Sequence, residues 1–431
     1  MSAFPPPITA CPETPASFAF QTLKHRLPSI LSTVLANIST RIATNHSDNL
    51  VQMHTATLEI LASLSANSRI PLAVQNHTPS PNLAIAHCEI ARLAVGDQCW
   101  FKAPMLLSEC YLYTLLDSLA SSYNILDLFA EMKRDLCAGI DEHVASSAAQ
   151  MGWQAVPALV YKCLWGNKND LSFNHKSNPL GNRSVQPHPQ SETGFSIGEA
   201  GLVIDDCTKL VASLRASSGA LLWIADNTGP ELVNDLVLIT HLLKLNKSLR
   251  IHLELKMNPW FVSDATAIDF KGVCSILKES LHIHARSLGN DIEFFVDTAR
   301  ILVGASGAWT TCLDFWTLKS HCYQQEIEKL FSIRDLQMVV LKGDLNYRKI
   351  TRDLMFTSEI GGFHGAIKGF LELGNGNGFS VCCIRVCKSE CVAGLDENQR
   401  SFLDERDPKW MSNGEWGMIQ LYEPELPDLA D

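Results

Sequence analysis

The chain has 431 residues, of which 46% are hydrophobic and 19% charged, a balance that fits a globular protein with a large core and excludes a disordered one. Its net charge of −11 and pI near 5.7 argue against nucleic acid as the main partner, because a phosphate backbone rewards basic surfaces. The 14 cysteines contain no CxxC pair at metal-ligand spacing, and Cys382, Cys383, Cys387 and Cys391 match no common zinc pattern, so reduced thiols in a cytoplasmic protein are expected.

The start of the chain lacks the basic-then-apolar pattern of a signal peptide. No stretch approaches the ~18 apolar residues of a membrane span. Residues 1–16, rich in Pro, Ser and Thr, read as a flexible tail. From Phe18 the pattern turns helical, with Ile30, Leu31, Val34, Leu35 and Ile38 at three- and four-residue steps. Similar periodicity at 50–66 and 104–133 makes 17–173 a mainly helical N-terminal subdomain. Residues 174–195, dense in Asn, Pro, Ser and His, read as a linker loop. In 196–431 short apolar runs alternate with helical segments. Strands are expected at 220–225, 249–255, 338–341 and 381–386, and helices at 230–245 and 265–277. This alternation implies a parallel sheet with helices on its faces, and ligands of such sheets sit outside the carboxyl ends of the strands.

Three polar clusters fall at strand ends. Asp226-Asn227-Thr228-Gly229 follows the first expected strand. A carboxylate and an amide oxygen there are hard ligands for Mg2+ or Mn2+, and the next helix start offers backbone N–H groups to an anion. Asp264 closes Pro259-Trp260-Phe261-Val262-Ser263-Asp264 at a strand-to-helix junction. Lys342-Gly343-Asp344-Leu345-Asn346-Tyr347-Arg348 follows a run of Val and Leu, and Lys342, Asn346 and Arg348 suit phosphate oxygens. Each cluster also has a plainer reading: a turn or N-cap for Asp226-Asn227, a helix cap for Asp264, a solvated loop for the third. Three such junctions in one α/β half favour a divalent-metal phosphate site.

The strings DNTGPEL, PWFVSD and KGDLNYRK resemble the metal-binding signatures of the damage-control phosphatase family, in its acidic-residue-methyltransferase-like branch. SFAFQTLKHRLPSIL, WFKAPMLLSECYLY, CLWGNKNDLS and WMSNGEWGMIQ extend the likeness over nearly the whole chain. The resemblance implies an α/β fold with a doubly wound parallel sheet core and a helical N-terminal subdomain. It also implies that Asp226, Asn227 and Asp264 are metal ligands, with Asp344 to Arg348 around the substrate phosphate.

Three departures from the branch pattern stand out. Pro230 replaces an aromatic residue, Thr114 and Leu115 replace two arginines, and Arg385-Val386-Cys387-Lys388 replaces Arg-Thr-any-Lys. Facing the pocket, these residues would make it drier. An apolar wall leaves sugar hydroxyls unpaired but favours a hydrocarbon at about 25 cal/mol per Å² buried. In this respect the chain resembles the fungal non-canonical sesquiterpene synthases of the humulene and brasilane type, which implies farnesyl diphosphate held through magnesium on the same acidic residues. Lys271, seven residues after Asp264 and so on one helical face with it, would match the added lysine of those enzymes; its plainer reading is an exposed helix lysine. The DDxxD element of ordinary class I terpene synthases is absent.

The leading expectation is therefore a lyase, a Mg2+-dependent sesquiterpene cyclase. Asp226, Asp264 and Lys271 would drive ionisation, with Lys342, Asp344, Asn346, Tyr347, Arg348, Arg385 and Lys388 around the diphosphate. Leu115, Pro230, Trp260, Ala267 and Val386 would form the apolar mould. The alternative is a metal-dependent phosphatase hydrolysing small phosphometabolites such as fructose 1-phosphate. Methyl transfer is disfavoured, since no glycine-rich cofactor loop follows an early strand.

Overall fold

The computed structural model of the chain describes residues 8, 15, 17–45, 47–71, 81–93, 95–145, 152–166, 201–320, 322–356, 362–374 and 378–424. The expected linker 174–195 lies outside them, as does the expected tail apart from Ile8 and Pro15. At Ile8 the structure differs from a loose tail. Its side chain is buried in the main core, its N–H donates to the Asp353 carbonyl at 3.0 Å, and its own carbonyl accepts from the Met105 N–H at 2.8 Å.

Ahead of the first strand lie helices α1 (Phe18–Gln21), α2 (Leu27–Asn45), α3 (Asp48–Ser65), α4 (Pro81–Arg92), α5 (Met105–Ser122), α6 (Ala130–Leu136), α7 (Ile140–Ala145) and α8 (Val156–Trp165). A π-helical turn, Thr22–Arg26, joins α1 to α2 without a break. Ile30, Leu31, Val34, Leu35 and Ile38 are all buried, as their spacing along one face of α2 requires. The chain continues as β1 (Leu202–Asp205), α9 (Cys207–Ala216), β2 (Ala220–Ile224), α10 (Pro230–Leu245), β3 (Arg250–Lys256), α11 (Ala267–Glu279), α12 (Ile283–Asp297) and β4 (Ile301–Ser306). It closes with α13 (Gln324–Phe331), β5 (Leu336–Lys342), α14 (Gly343–Ile350), α15 (Phe363–Leu371), β6 (Ser380–Val386), α16 (Glu397–Arg406) and β7 (Gly417–Tyr422). Among the described residues, no helix is long and apolar enough to cross a membrane.

The seven strands form one mixed sheet in the order β1-β7-β6-β5-β2-β3-β4. All neighbours are parallel except β6 and β7. The connection between those two closes at the end where β6 leaves the sheet, with the Cys387 N–H donating to the Trp416 carbonyl at 2.7 Å, so β7 must run back along its neighbour. Every residue of β2 is buried, as expected for a central strand covered on both faces. Leu222 and Ile224 join one core with the N-terminal helices, while Leu221 and Trp223 join the other with α8 and α10. The helical N-terminal part thus packs directly on the sheet.

From β2 the chain proceeds outward to β3 and β4, then returns to β5 on the other side of β2. The helices after these two strands diverge: α10 packs in one core and α14 in the other. A crevice opens between them at the carboxyl ends of β2 and β5. Gly343, the first residue of α14, has φ +82°, and a Cβ there would stand 1.8 Å from Asp226 Oδ2. Only glycine combines that backbone angle with that approach. The positive end of α14 faces the Asp226 carboxylate, an arrangement that stabilises the charge. Gly343→Ala is expected to destabilise the protein by more than about 1 kcal/mol from backbone strain alone, read as a lower midpoint in urea unfolding; an unchanged midpoint would contradict the tight approach.

Candidate active site

The loops after β2 and β3 run side by side at the crevice. The Thr228 N–H donates to the Ser263 carbonyl at 2.8 Å and the Ala265 N–H to the Asp226 carbonyl at 2.7 Å. Asn227 and Asp264 form an isolated antiparallel bridge. This backbone ladder brings Asp226, Asn227 and Asp264 together. To reach it, the β3 loop passes through Phe261 and Val262 at φ 43° and 72°, a left-handed conformation that is costly for a β-branched residue. Two groups of α5 hold the loop there. Tyr113 stacks on Phe261 with ring centroids 4.5 Å apart, and Asp117 accepts from Asn258 Nδ2 at 2.5 Å.

Side chains lock the same corner. Asn227 Nδ2 donates to Asp226 Oδ2 at 3.1 Å and to Glu231 Oε2 at 2.9 Å, and Asn227 Oδ1 accepts from Ser263 Oγ at 2.7 Å. Lys256 Nζ, at the end of β3, lies 3.6 Å from Asp264 Oδ2 and donates to Asn346 Oδ1 at 3.0 Å. Asn346 Nδ2 donates to the carbonyls of Ala225 and Lys342 at 3.3 and 2.7 Å.

The cleft above this corner is open to solvent and is lined by Phe18, Arg26, Asp226, Asn227, Phe261, Asp264, Asp344, Leu345, Arg348 and Lys388. Of the residues expected at the site, it unites Asp226, Asn227, Asp264, Asp344, Arg348 and Lys388. Asp344 Oδ1 accepts from Arg385 Nη1, the Lys388 backbone N–H and Ser389 Oγ at 3.0, 3.1 and 3.1 Å. Arg348 donates twice to Asp353, at 2.8 and 3.0 Å, and once to Glu109 at 2.7 Å. Burial opposes the Arg348 charge, but Asp353 and Glu109 outweigh it and hold the guanidinium protonated.

The other expected residues lie elsewhere, each for a physical reason. Lys342 is consumed by a buried cluster: Nζ donates to Asp235 Oδ1 at 2.8 Å, the Cys163 carbonyl at 3.0 Å and Glu231 Oε1 at 3.1 Å. Burial opposes its charge, yet Asp235 and Glu231 raise its pKa, while burial pushes the Asp235 carboxyl up to about 6 against the pull of Lys342. Asn346 ties strand ends together. Tyr347 is buried, donating its hydroxyl to Gln420 Oε1 at 3.1 Å. Arg385 sits 3.7 Å from the Tyr347 ring centroid and holds Asp344 rather than facing the cleft. Lys271 is exposed. Helix α11 starts at Ala267 behind a Thr266–Asp269 capping box, so Asp264 precedes the helix and the two-turn spacing does not align the pair.

The apolar mould is not assembled either. Leu115 is a core residue of α5, and Trp260 is buried against Tyr113 and Phe261. Val386 alternates with Arg385 and enters the core shared with α8 and α10. Pro230 and Ala267 are the first residues of α10 and α11. Thr114 is buried, its hydroxyl donating to the Cys110 carbonyl at 2.9 Å. The cleft instead gains Phe18, Arg26, Phe261 and Leu345, which sequence reading missed. Phe261 and Leu345 sit inside the singled-out strings PWFVSD and KGDLNYRK, and Phe18 and Arg26 inside SFAFQTLKHRLPSIL, a string that marks likeness to the family and not the site.

The donor set suits a hard cation. Two carboxylates and one amide oxygen with a spare lone pair match Mg2+ or Mn2+. Among the described residues, no cluster of three or more His, Cys, Asp or Glu side chains forms a metal cage. An open oxygen set leaves room for water and substrate. Because removing one partner of a buried ion cluster strands the others, Lys342→Ala is expected to cost about 3–5 kcal/mol in urea unfolding. Wild-type stability with lost ligand binding would return Lys342 to the cleft.

The profile of the damage-control phosphatase ARMT1-like domain matches residues 22–402. The chain is 27% identical over 444 residues to damage-control phosphatase ARMT1 of Homo sapiens, covering 95% of this chain and 97% of that protein. For the Xenopus tropicalis protein of the same name the identity is 26% over 452 residues, covering 96% and 99%, and for that of Danio rerio 26% over 462 residues, covering 97% and 98%. A solved DUF89 family protein from Pyrococcus horikoshii aligns at 16% identity over 74% of this chain and 86% of its own, with a TM-score of 0.39. These full-length relatives are phosphatases by name, which overturns the expected terpene cyclase and its lyase class. The chain belongs to the damage-control phosphatase ARMT1-like family.

Proposed function

We propose that the chain is a divalent-metal-dependent phosphatase of small phosphorylated metabolites, with sugar phosphates such as fructose 1-phosphate as the substrate class. The observation that carries this reading is the charge make-up of the cleft. Asp226, Asp264 and Asp344 line the cleft together with Arg26, Arg348 and Lys388, so the formal charges of the lining cancel. A bound divalent cation then leaves two positive charges, the complement of a phosphate monoester dianion.

Asp226, Asn227 and Asp264 would hold the cation, Mg2+ or Mn2+. When bound, it supplies positive charge beside the phosphoryl oxygens and makes water more acidic. Arg348 and Lys388, lining the same cleft, would carry donors to those oxygens. Asp344, fixed by three hydrogen bonds, keeps the loop bearing Lys388 against the start of α14. Water attacks phosphorus in line, the ester P–O bond breaks, and the products are an alcohol and inorganic phosphate. Phe18, Phe261 and Leu345 give the cleft an apolar flank.

The test is phosphate release from a panel of sugar phosphates, fructose 1-phosphate included, with Mg2+ or Mn2+. Release is expected to stop with a chelator and to return on adding the metal back. Asp226→Ala and Asp264→Ala are each expected to lower kcat/KM at least about 100-fold while remaining folded by circular dichroism. No release from any monoester with either metal would sink the reading.

A further inference from the structure

Phe18 and Arg26 enter the cleft from the helix that opens the chain. They are eight residues apart. In an unbroken α-helix, at about 100° per residue, that spacing would turn them about 80° apart. The π-helical turn Thr22–Arg26 takes up one extra residue, so the two are related like residues seven apart in an α-helix and share a face. The Arg26 guanidinium lies 5.3 Å from the Phe18 ring centroid.

Arg26 is held from behind. Its Nη2 donates to Glu109 Oε1, while its Nε is buried with no hydrogen-bond partner among the described residues. The Nε of Arg250, Arg385 and Arg400 is likewise buried without a partner, so what sets Arg26 apart is that its side chain lines the cleft. Glu109 is itself fully buried, and its second oxygen accepts from Arg348 Nη1 at 2.7 Å. One carboxylate on α5 therefore gathers two guanidiniums at one wall. Both flank the Phe18 ring, at 5.3 and 5.7 Å. Unassisted, two such cations would repel each other.

The geometry points to Arg26 as a substrate-binding residue whose guanidinium serves a phosphoryl oxygen in the cleft, and to Glu109 as the positioning residue that presents Arg26 and Arg348 together. The assignment rests on the phosphatase reading for the identity of the anion. Arg26 supplies binding and Glu109 acts only through the arginines it holds.

The experiment uses the full chain with Mg2+ and inorganic phosphate as the probe, with affinity read by calorimetry and folding by thermal unfolding. Arg26→Gln is expected to weaken phosphate binding about ten- to a hundredfold, the worth of a charged hydrogen bond, with Arg26→Lys in between. Glu109→Gln is expected to weaken it in the same direction, and Arg26→Gln/Glu109→Gln to fall short of the product of the two single effects. In turnover, Arg26→Gln is expected to raise KM more than it lowers kcat. If Glu109→Gln does not fold, the Arg26 variants decide alone. Wild-type phosphate affinity in folded Arg26→Gln would overturn the inference while leaving the phosphatase reading intact. Wild-type protein that binds phosphate, loses it on Arg26→Gln and hydrolyses no monoester would support the anion site and overturn the phosphatase reading.

Discussion

At the crevice between β2 and β5, the carboxylate of Asp226 fills the space that a side chain on residue 343 would need. The rest of the cleft is arranged around that contact. Because α14 begins there, Asp344 and Leu345 fall into the lining in its first turn, and Arg348 follows one turn later. Because Asp226 is fixed, its backbone can pair with the β3 loop and draw Asp264 alongside. The left-handed pair Phe261–Val262 is a cost of this pairing, met by the stacking of Tyr113 and the hydrogen bond to Asp117. Glu109, Tyr113 and Asp117 recur at four-residue intervals on α5, so one helical face supports both walls of the cleft.

Behind the lining lies a layer of charged groups that never meet solvent. Lys256 spans Asp264 and Asn346, while Lys342 joins Glu231 and Asp235, and Glu231 in turn receives Asn227 Nδ2. Ions buried this deeply contribute little net stability even when paired. Their effect is geometric: each fixes a loop end that would otherwise choose among rotamers, and the oxygens of Asp226, Asn227 and Asp264 are oriented before any ligand arrives.

Much of this fold was legible in the chain. Strand β2 could be read because a run buried on both faces is apolar at every position, and α10 because Pro230 opens it and its apolar residues continue to Leu245. β4 and β7 were harder. β4 is an edge strand of mixed exposure, and β7 carries Gln420 in its buried stretch. At the site, the polar clusters at strand ends singled out Asp226, Asn227 and Asp264, and the fold brings the three to one cleft. Periodicity cannot say which cation at a strand end is already paired, so Lys342 and Arg385 read like ligand-binding groups. Thr114, Leu115 and Val386 differ from the family pattern yet face the interior, which is why they suggested a pocket that is not there. Arg26 lies within the string SFAFQTLKHRLPSIL, but its place at the cleft could not be read there: nothing near it in sequence is acidic, and Glu109 reaches it only through the fold.

The span of the chain that closes the cleft has a consequence for synthesis. The Phe18 N–H donates to Glu390 Oε1, a partner 372 residues away, and Lys388 lies on the same stretch. A nascent chain in which this segment has not yet emerged carries a Phe18 N–H without its acceptor and a cleft without Lys388. Closing so long a loop adds little entropy cost per added residue but delays this contact until residue 390 has been made. The order of synthesis thus leaves the cleft without Lys388 and the start of α1 without its Glu390 partner until that stretch arrives.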